Sequence, residues 1–238
     1  MNIAVMLAGG TGERMGAGRP KQFIEIGGKP LIVHCLDIYE QSVDIDAVEI
    51  VCHKDWIDYT WQLVREWNIN KVKWVCEGGD TCQISTRNGI FNLEGKVKED
   101  DVLMFVMSSS PFVNDEIIRD SLRVCHEHGS AFACMPSKFN LAYTIDGASS
   151  THINFKEQNK TINMPWTSTF EKFDRLFHKA FEEGIETEVR SYVPTLWVAL
   201  GEPLWFSLDT TKNLLHATYK EDAEIFEAVL RMENRIQY

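Results

Sequence analysis

The sequence predicts an α/β protein built on a Rossmann-like, doubly wound, mostly parallel sheet, and three observations carry that prediction. Apolar runs of strand length at 3–7, 47–52 and 101–107 are nearly continuous rather than alternating, which suits strands buried on both faces. Segments of helical period lie between them, as at 31–41, where Leu31, Cys35, Ile38 and Tyr39 fall on one side. Glycines follow the first and third strands, at the junctions where such a sheet gathers its loops along one edge.

Taken in order, residues 3–7 (IAVML) are apolar and partly β-branched, and Ala8-Gly9-Gly10-Thr11-Gly12 ends the strand. Pro30 opens the 31–41 helix, on which His34 reads as a core-edge residue rather than a ligand. The strand at 47–52 leads to a helix over 55–67 with Asp55 as its expected cap; Trp56, Trp61 and Trp67 read as residues packing it onto the sheet. A third strand at 73–76 runs into Glu77-Gly78-Gly79-Asp80 and a helix over 81–93, capped by Asp80 or Thr81. The strand at 101–107 has the composition of a central one and ends in Ser108-Ser109-Ser110-Pro111. A helix at 114–128 closing at Gly129 and a strand at 131–135 come next. Residues 138–164 then alternate apolar and polar around Asp146-Gly147 and Asn159-Lys160, which predicts paired strands. A helix at 170–183 ends at a turn on Gly184. No linker divides the chain, so 1–238 is expected to form one domain with a β-arm inserted at about 138–164.

Composition excludes several classes. A net charge of −11 argues against nucleic-acid binding, which neutralises phosphates with clustered Lys and Arg, so a phosphate site must be a local basic pocket. The six cysteines show no C-x-x-C spacing, which argues against zinc and against a disulfide framework and favours buried thiols in a reducing compartment. The N-terminus lacks a basic region before an apolar core, and no apolar run approaches the ~20 residues that span a bilayer. A soluble, cytoplasmic protein is expected.

The densest chemistry lies between residues 3 and 23. A strand ending in glycines presents backbone N–H groups that can approach a chain of phosphates closely. Arg14 and Lys21 add a planar fork and a compact point charge within the same segment. No Gly-Lys-Ser/Thr follows as a P-loop requires, and Arg14-Met15 breaks the G-x-G-x-x-G pattern. The string LAGGTGERMGAGRPKQF, continued by Ile26-Gly27-Gly28-Lys29-Pro30-Leu31, closely resembles the signature of the cytidylyltransferases that act on methylerythritol phosphate and ribitol phosphate.

The resemblance implies a fold of the nucleotide-diphospho-sugar transferase type and an enzyme in which an acceptor phosphate attacks the α-phosphate of CTP and pyrophosphate leaves. Arg14 and Lys21 would stabilise the developing charge, and Leu7, Ala8, Gly9, Gly10, Thr11 and Gly12 would cradle the nucleotide. Gly79, Asp80 and Ser85 match positions that hold the cytosine, although Cys82 stands where relatives carry an arginine. At the 101–107 strand end, Met107 replaces an aspartate that holds the divalent metal and Ser110 replaces an arginine; Ser108, Ser110 and His216, the last in place of a lysine, are the candidates for acceptor binding. Glu188 is the candidate metal ligand, with Mg²⁺ held mainly by the nucleotide. The β-arm implies a homodimer. The altered positions leave open a second reading, a non-catalytic nucleotide-binding relative with a degraded metal and acceptor site.

Overall fold

The computed structural model describes residues 1–10, 19–185, 192–215 and 222–236. Its strands are β1 (Asn2–Ala8), β2 (Glu25–Ile26), β3 (Lys29–Pro30), β4 (Ala47–Cys52), β5 (Val72–Glu77), β6 (Val102–Met107), β7 (Ser130–Pro136), β8 (Leu141–Tyr143), β9 (His152–Asn154), β10 (Lys160–Thr169) and β11 (Phe206–Leu208). The helices are α1 (Leu31–Gln41), α2 (Ile57–Glu66), α3 (Cys82–Asn92), α4 (Asp115–His128), α5 (Phe170–Glu182), α6 (Val193–Ala199) and α7 (Asp222–Met232).

Seven strands form the central sheet in the order β11-β7-β10-β6-β1-β4-β5. β1 pairs in parallel with both β4 and β6, and β4 in parallel with β5. The chain therefore winds outward from β1 through β4 to β5, then returns to the other side of β1, which makes the end of β1 the switch point where α/β sheets bind ligands. β10 runs antiparallel to both neighbours, β6 and β7, and is the one reversal in this otherwise parallel set.

Alternate residues of the central strands feed opposite faces, as the period of two demands. Ala4 and Met6 of β1 face a core made with Val33 and Leu36 of α1, Leu63 of α2 and Ile118 of α4. Ile3 and Val5 face the other, with Ile90 of α3, Phe173 and Phe177 of α5, and Leu196 and Trp197 of α6. β4 is buried along its whole length and β6 nearly so, and this explains their unbroken apolar runs.

The helix ends follow their sequence signals in most places. Thr81 caps α3 by accepting from the Ile84 N–H at 3.1 Å, and Asn114 caps α4 by accepting from Ile117 at 2.9 Å. Gly129 closes α4 at φ 81°, the left-handed conformation that glycine adopts without strain. Asp55 does not cap α2. A 3-10 turn at Lys54–Trp56 precedes the helix, and the His53 ring accepts from the Asp55 N–H at 3.3 Å. Trp56 and Trp61 pack on the core as expected, while Trp67 is partly exposed beneath the Lys29 ammonium, 4.9 Å from its ring. His34 lies deeper than a core edge, 1% exposed and bonded to the Ile26 carbonyl at 2.8 Å. All six cysteines are free thiols, and burial raises the pKa of each.

The 138–164 stretch divides in two. β8 and β9 pair with each other as a separate hairpin, but the chain joins the central sheet at Lys160, so the last residues of the expected arm belong to β10. The β10–β7 ladder shifts register between Ile162 and Trp166, around Pro165, which has no N–H to contribute to a ladder.

Glu49 sits in the middle of β4, fully buried beneath α3. One carboxylate oxygen accepts from Asn92 Nδ2 at 2.6 Å; the other has no hydrogen-bond partner among the described residues. Removal from water pushes its pKa up to about 8, against the opposing pull of the Asn92 bond. A carboxyl raised in the folded state binds its proton more tightly there than in the unfolded chain. Its contribution is thus complete below the ordinary carboxylate range and is lost as pH climbs through about 8. Urea unfolding of the wild type and Glu49→Gln across pH 5–9 is expected to diverge, with the wild type losing on the order of 2–5 kcal/mol relative to the variant as pH rises. Parallel pH profiles would show that Glu49 does not titrate in this interval.

Candidate functional site

The parallel ladders end level with one another. Ala8 pairs with Cys52, Cys52 with Glu77, and Leu7 with Met107. The residues that follow therefore emerge side by side, and Gly9, Gly10, His53, Lys54, Glu77, Gly78, Gly79 and Asp80 line one cleft of about 390 Å³. The Gly78 N–H bonds to the Cys52 carbonyl at 2.8 Å and ties the ends of β5 and β4 together.

Ser85, in the first turn of α3, lies under this floor. Its hydroxyl accepts from the Gly79 N–H at 3.0 Å and lies 3.2 Å from the Gly79 carbonyl, to which it can donate. A Cβ on Gly9 or Gly78 would come within 3.2 or 3.1 Å of the same oxygen. At Gly79 it would stand 2.1 Å from Ile84 Cγ2, so only glycine fits there. Two glycine turns thus converge on one hydroxyl, and the N-terminus of the eleven-residue helix α3 begins beside them with its partial positive charge.

Of the residues singled out from sequence, Gly9, Gly10, Gly79 and Asp80 meet at the cleft, with Ser85 beneath them. Leu7 and Ala8 belong to β1 and contribute carbonyls: Leu7 O accepts from the Ser108 hydroxyl at 2.9 Å, and Ala8 O from Gln22 Nε2 at 2.6 Å. Lys21 opens a 3-10 turn at Lys21–Phe23. Thr11, Gly12, Arg14, Glu188 and His216 lie outside the described residues.

At the β6 end the serine hydroxyls of Ser108 and Ser110 are engaged within the fold. Ser108 and Ser110 are 4% exposed; Ser108 bonds back to β1, and the Ser110 hydroxyl donates to the Asn213 carbonyl at 3.0 Å. Asn213 in turn donates to the Met164 carbonyl at 2.8 Å and to Asp209 Oδ1 at 2.7 Å, and Asn163 donates to Asp209 Oδ2 at 3.2 Å. Met107 packs partly buried on the core shared by α3 and α5. The strand end carries no carboxylate of its own, and the neighbouring Asp209 spends its two oxygens on Asn163 and Asn213, so the residues described there do not fit a protein-held magnesium ion, which wants hard oxygen donors.

His53 and Lys54 were missed. Their signal was positional: they follow β4 directly, and in a parallel sheet every strand's C-terminal neighbour reaches the ligand edge. Gln22 is uncharged and stands beside Lys21 in the motif, so the sequence carries no separate sign of its bond to the Ala8 carbonyl.

Comparison with known proteins bears on the whole chain. The family model described as IspD, 2-C-methyl-D-erythritol 4-phosphate cytidylyltransferase, matches residues 2–186. A ribitol-5-phosphate cytidylyltransferase of Lacticaseibacillus paracasei is 32% identical over 233 residues, covering 97% of this chain and 98% of the relative. A 2-C-methyl-D-erythritol 4-phosphate cytidylyltransferase of Clostridium perfringens is 36% identical over 226 residues, 94% of this chain and 96% of that one. Among solved structures, the 4-diphosphocytidyl-2C-methyl-D-erythritol synthase of Anaerococcus prevotii superposes with a TM-score of 0.80 at 17% identity, over 97% of this chain and 98% of that one, and so shares the fold. With the glycine-edged cleft at the switch point of a matching sheet, and with relatives of this identity along nearly its full length, the chain belongs to the IspD family of cytidylyltransferases.

Proposed function

We propose that this protein transfers a cytidylyl group from CTP to a polyol phosphate. The observation that carries the reading is the cleft at the ends of β1, β4 and β5, in a chain that aligns over 97% of its length with a ribitol-5-phosphate cytidylyltransferase. An acceptor phosphate oxygen attacks the α-phosphorus of CTP; a new P–O bond forms as the bond to the bridging oxygen breaks, and pyrophosphate carries that electron pair away. Such chemistry depends on positioning and on neutralising charge. Amides of the Gly9–Gly10 turn, Lys21 and Arg14 serve the triphosphate in this proposal. Gly79 and Asp80 form the slot for the base, which Ser85 stiffens from below. Magnesium enters as part of the substrate, bound to the triphosphate, since the described end of β6 offers it no carboxylate.

A second reading, nucleotide binding without turnover, is favoured by one specific feature: the Ser110 hydroxyl is committed to Asn213 and Met107 to the core. One assay separates them. The wild type is incubated with CTP, magnesium and either ribitol 5-phosphate or methylerythritol 4-phosphate, and pyrophosphate is measured. Release that depends on the acceptor supports the transferase; CTP binding with no release on either acceptor supports the second reading. Lys21→Ala is expected to weaken CTP binding by tenfold or more in titration calorimetry, the loss of a charge-assisted contact of about 1.5–3 kcal/mol. An unchanged affinity would remove Lys21 from the site.

The protein is further proposed to act in the cytoplasm as a homodimer. Among the described residues no helix is long and apolar enough to cross a membrane, and the six thiols are unpaired, as a reducing compartment favours. The hairpin region leaves large apolar side chains in water, with Phe139 73%, Tyr143 63% and Ile145 91% exposed, and an isolated two-stranded hairpin is marginal alone. Light scattering is expected to give a dimer for the intact chain and a monomer when residues 140–155 are replaced by a short linker. An intact chain that scatters as a monomer would refute the pairing.

A further inference from the structure

Gln22 is 1% exposed, and its side-chain nitrogen donates to the Ala8 carbonyl at 2.6 Å and to the Gly10 carbonyl at 3.1 Å. A primary amide has two N–H donors, and here both are spent on backbone oxygens of the same glycine turn. The C=O and N–H of a planar trans peptide point in opposite directions. Tethering the Ala8 oxygen on the Gln22 side therefore directs the Gly9 N–H away from Gln22, in a turn whose Gly9 and Gly10 line the cleft. Gln22 is itself fixed. It is the middle residue of the Lys21–Phe23 turn, where the Phe23 N–H bonds to the Pro20 carbonyl at 3.0 Å and the fully buried Phe23 ring stacks on Trp56 at 4.9 Å.

We propose that Gln22 is a positioning residue of the nucleotide site: it sets the orientation of the Ala8–Gly9 peptide toward the triphosphate and couples that peptide to the turn that carries Lys21. The inference rests on the CTP reading above. A residue that only filled space would need no donors, and at this depth an apolar side chain would avoid the desolvation of an amide. The two carbonyls are what the amide is there to hold.

The test is titration calorimetry of the full chain with CTP and magnesium, at a temperature where every variant is folded by circular dichroism. Gln22→Met keeps the length of the side chain without its donors, and Leu176→Ala truncates a buried residue on the opposite face of the sheet, remote from the turn. Gln22→Met is expected to raise Kd for CTP at least tenfold, while Leu176→Ala stays within twofold of wild type although its thermal midpoint falls. For Gln22→Glu the loss should deepen as pH rises, because a protonated carboxyl returns one donor and an ionised one repels both carbonyls. Wild-type affinity in Gln22→Met overturns this inference alone, as does an equal loss in Leu176→Ala, since general loosening would then account for both. A wild type that does not bind CTP overturns the nucleotide reading and this inference with it.

Discussion

Parallel pairing of β1 with β4 on one side and β6 on the other sets the level at which the strands stop, and the rest of the site follows from that level. Because Ala8, Cys52 and Glu77 stand in register across three strands, their successors Gly9, His53 and Gly78 emerge in a row. A slip of one residue in either ladder would turn every side chain to the opposite face and disperse the row. The two cores make such a slip costly, since Ala4 and Met6 would exchange faces with Ile3 and Val5. The geometry of the cleft is in this sense a by-product of hydrophobic burial, with the glycines placed where burial ends.

At the β6 end a buried hydrogen-bonded network stands where the family resemblance implies an aspartate for the metal and an arginine. Ser110, Asn213, Asp209 and Asn163 satisfy one another within the fold and join β6, β10 and the segment after β11. A buried network in which donors and acceptors are matched is rigid, and breaking one member leaves the others desolvated without partners. Under the proposed function, the work of neutralising the triphosphate then falls to the glycine turn, its cations and the magnesium that accompanies the nucleotide. The edge of β6 acts there as a wall.

Sequence patterns conveyed most of the fold. The limits of α1 and β4 match their apolar runs, and Thr81, Asn114 and Gly129 cap helices as their residue types suggest. What escaped was long-range. The alternation at 160–164 marked a strand but could not say that its partners would be β7 and β6 rather than the arm, because partner choice depends on contacts distant in sequence. Asp55 has the chemistry of a cap, yet the His53 ring took that role one turn earlier. At the site, glycine spacing pointed to the turns themselves, while Ser108 and Ser110 carried no sequence sign that their hydroxyls were already engaged.

β10 has a mechanical meaning of its own. The hairpin of β8 and β9 is followed, after one short turn at Lys156–Gln158, by a ten-residue strand that runs between β7 and β6 and passes directly into α5. Trp166, fully buried, pairs with Phe105 on one flank and with Phe132 on the other. The hairpin is therefore the free end of a beam clamped deep in the sheet, and a load applied to it is delivered two strands away from the glycine turn at the end of β1.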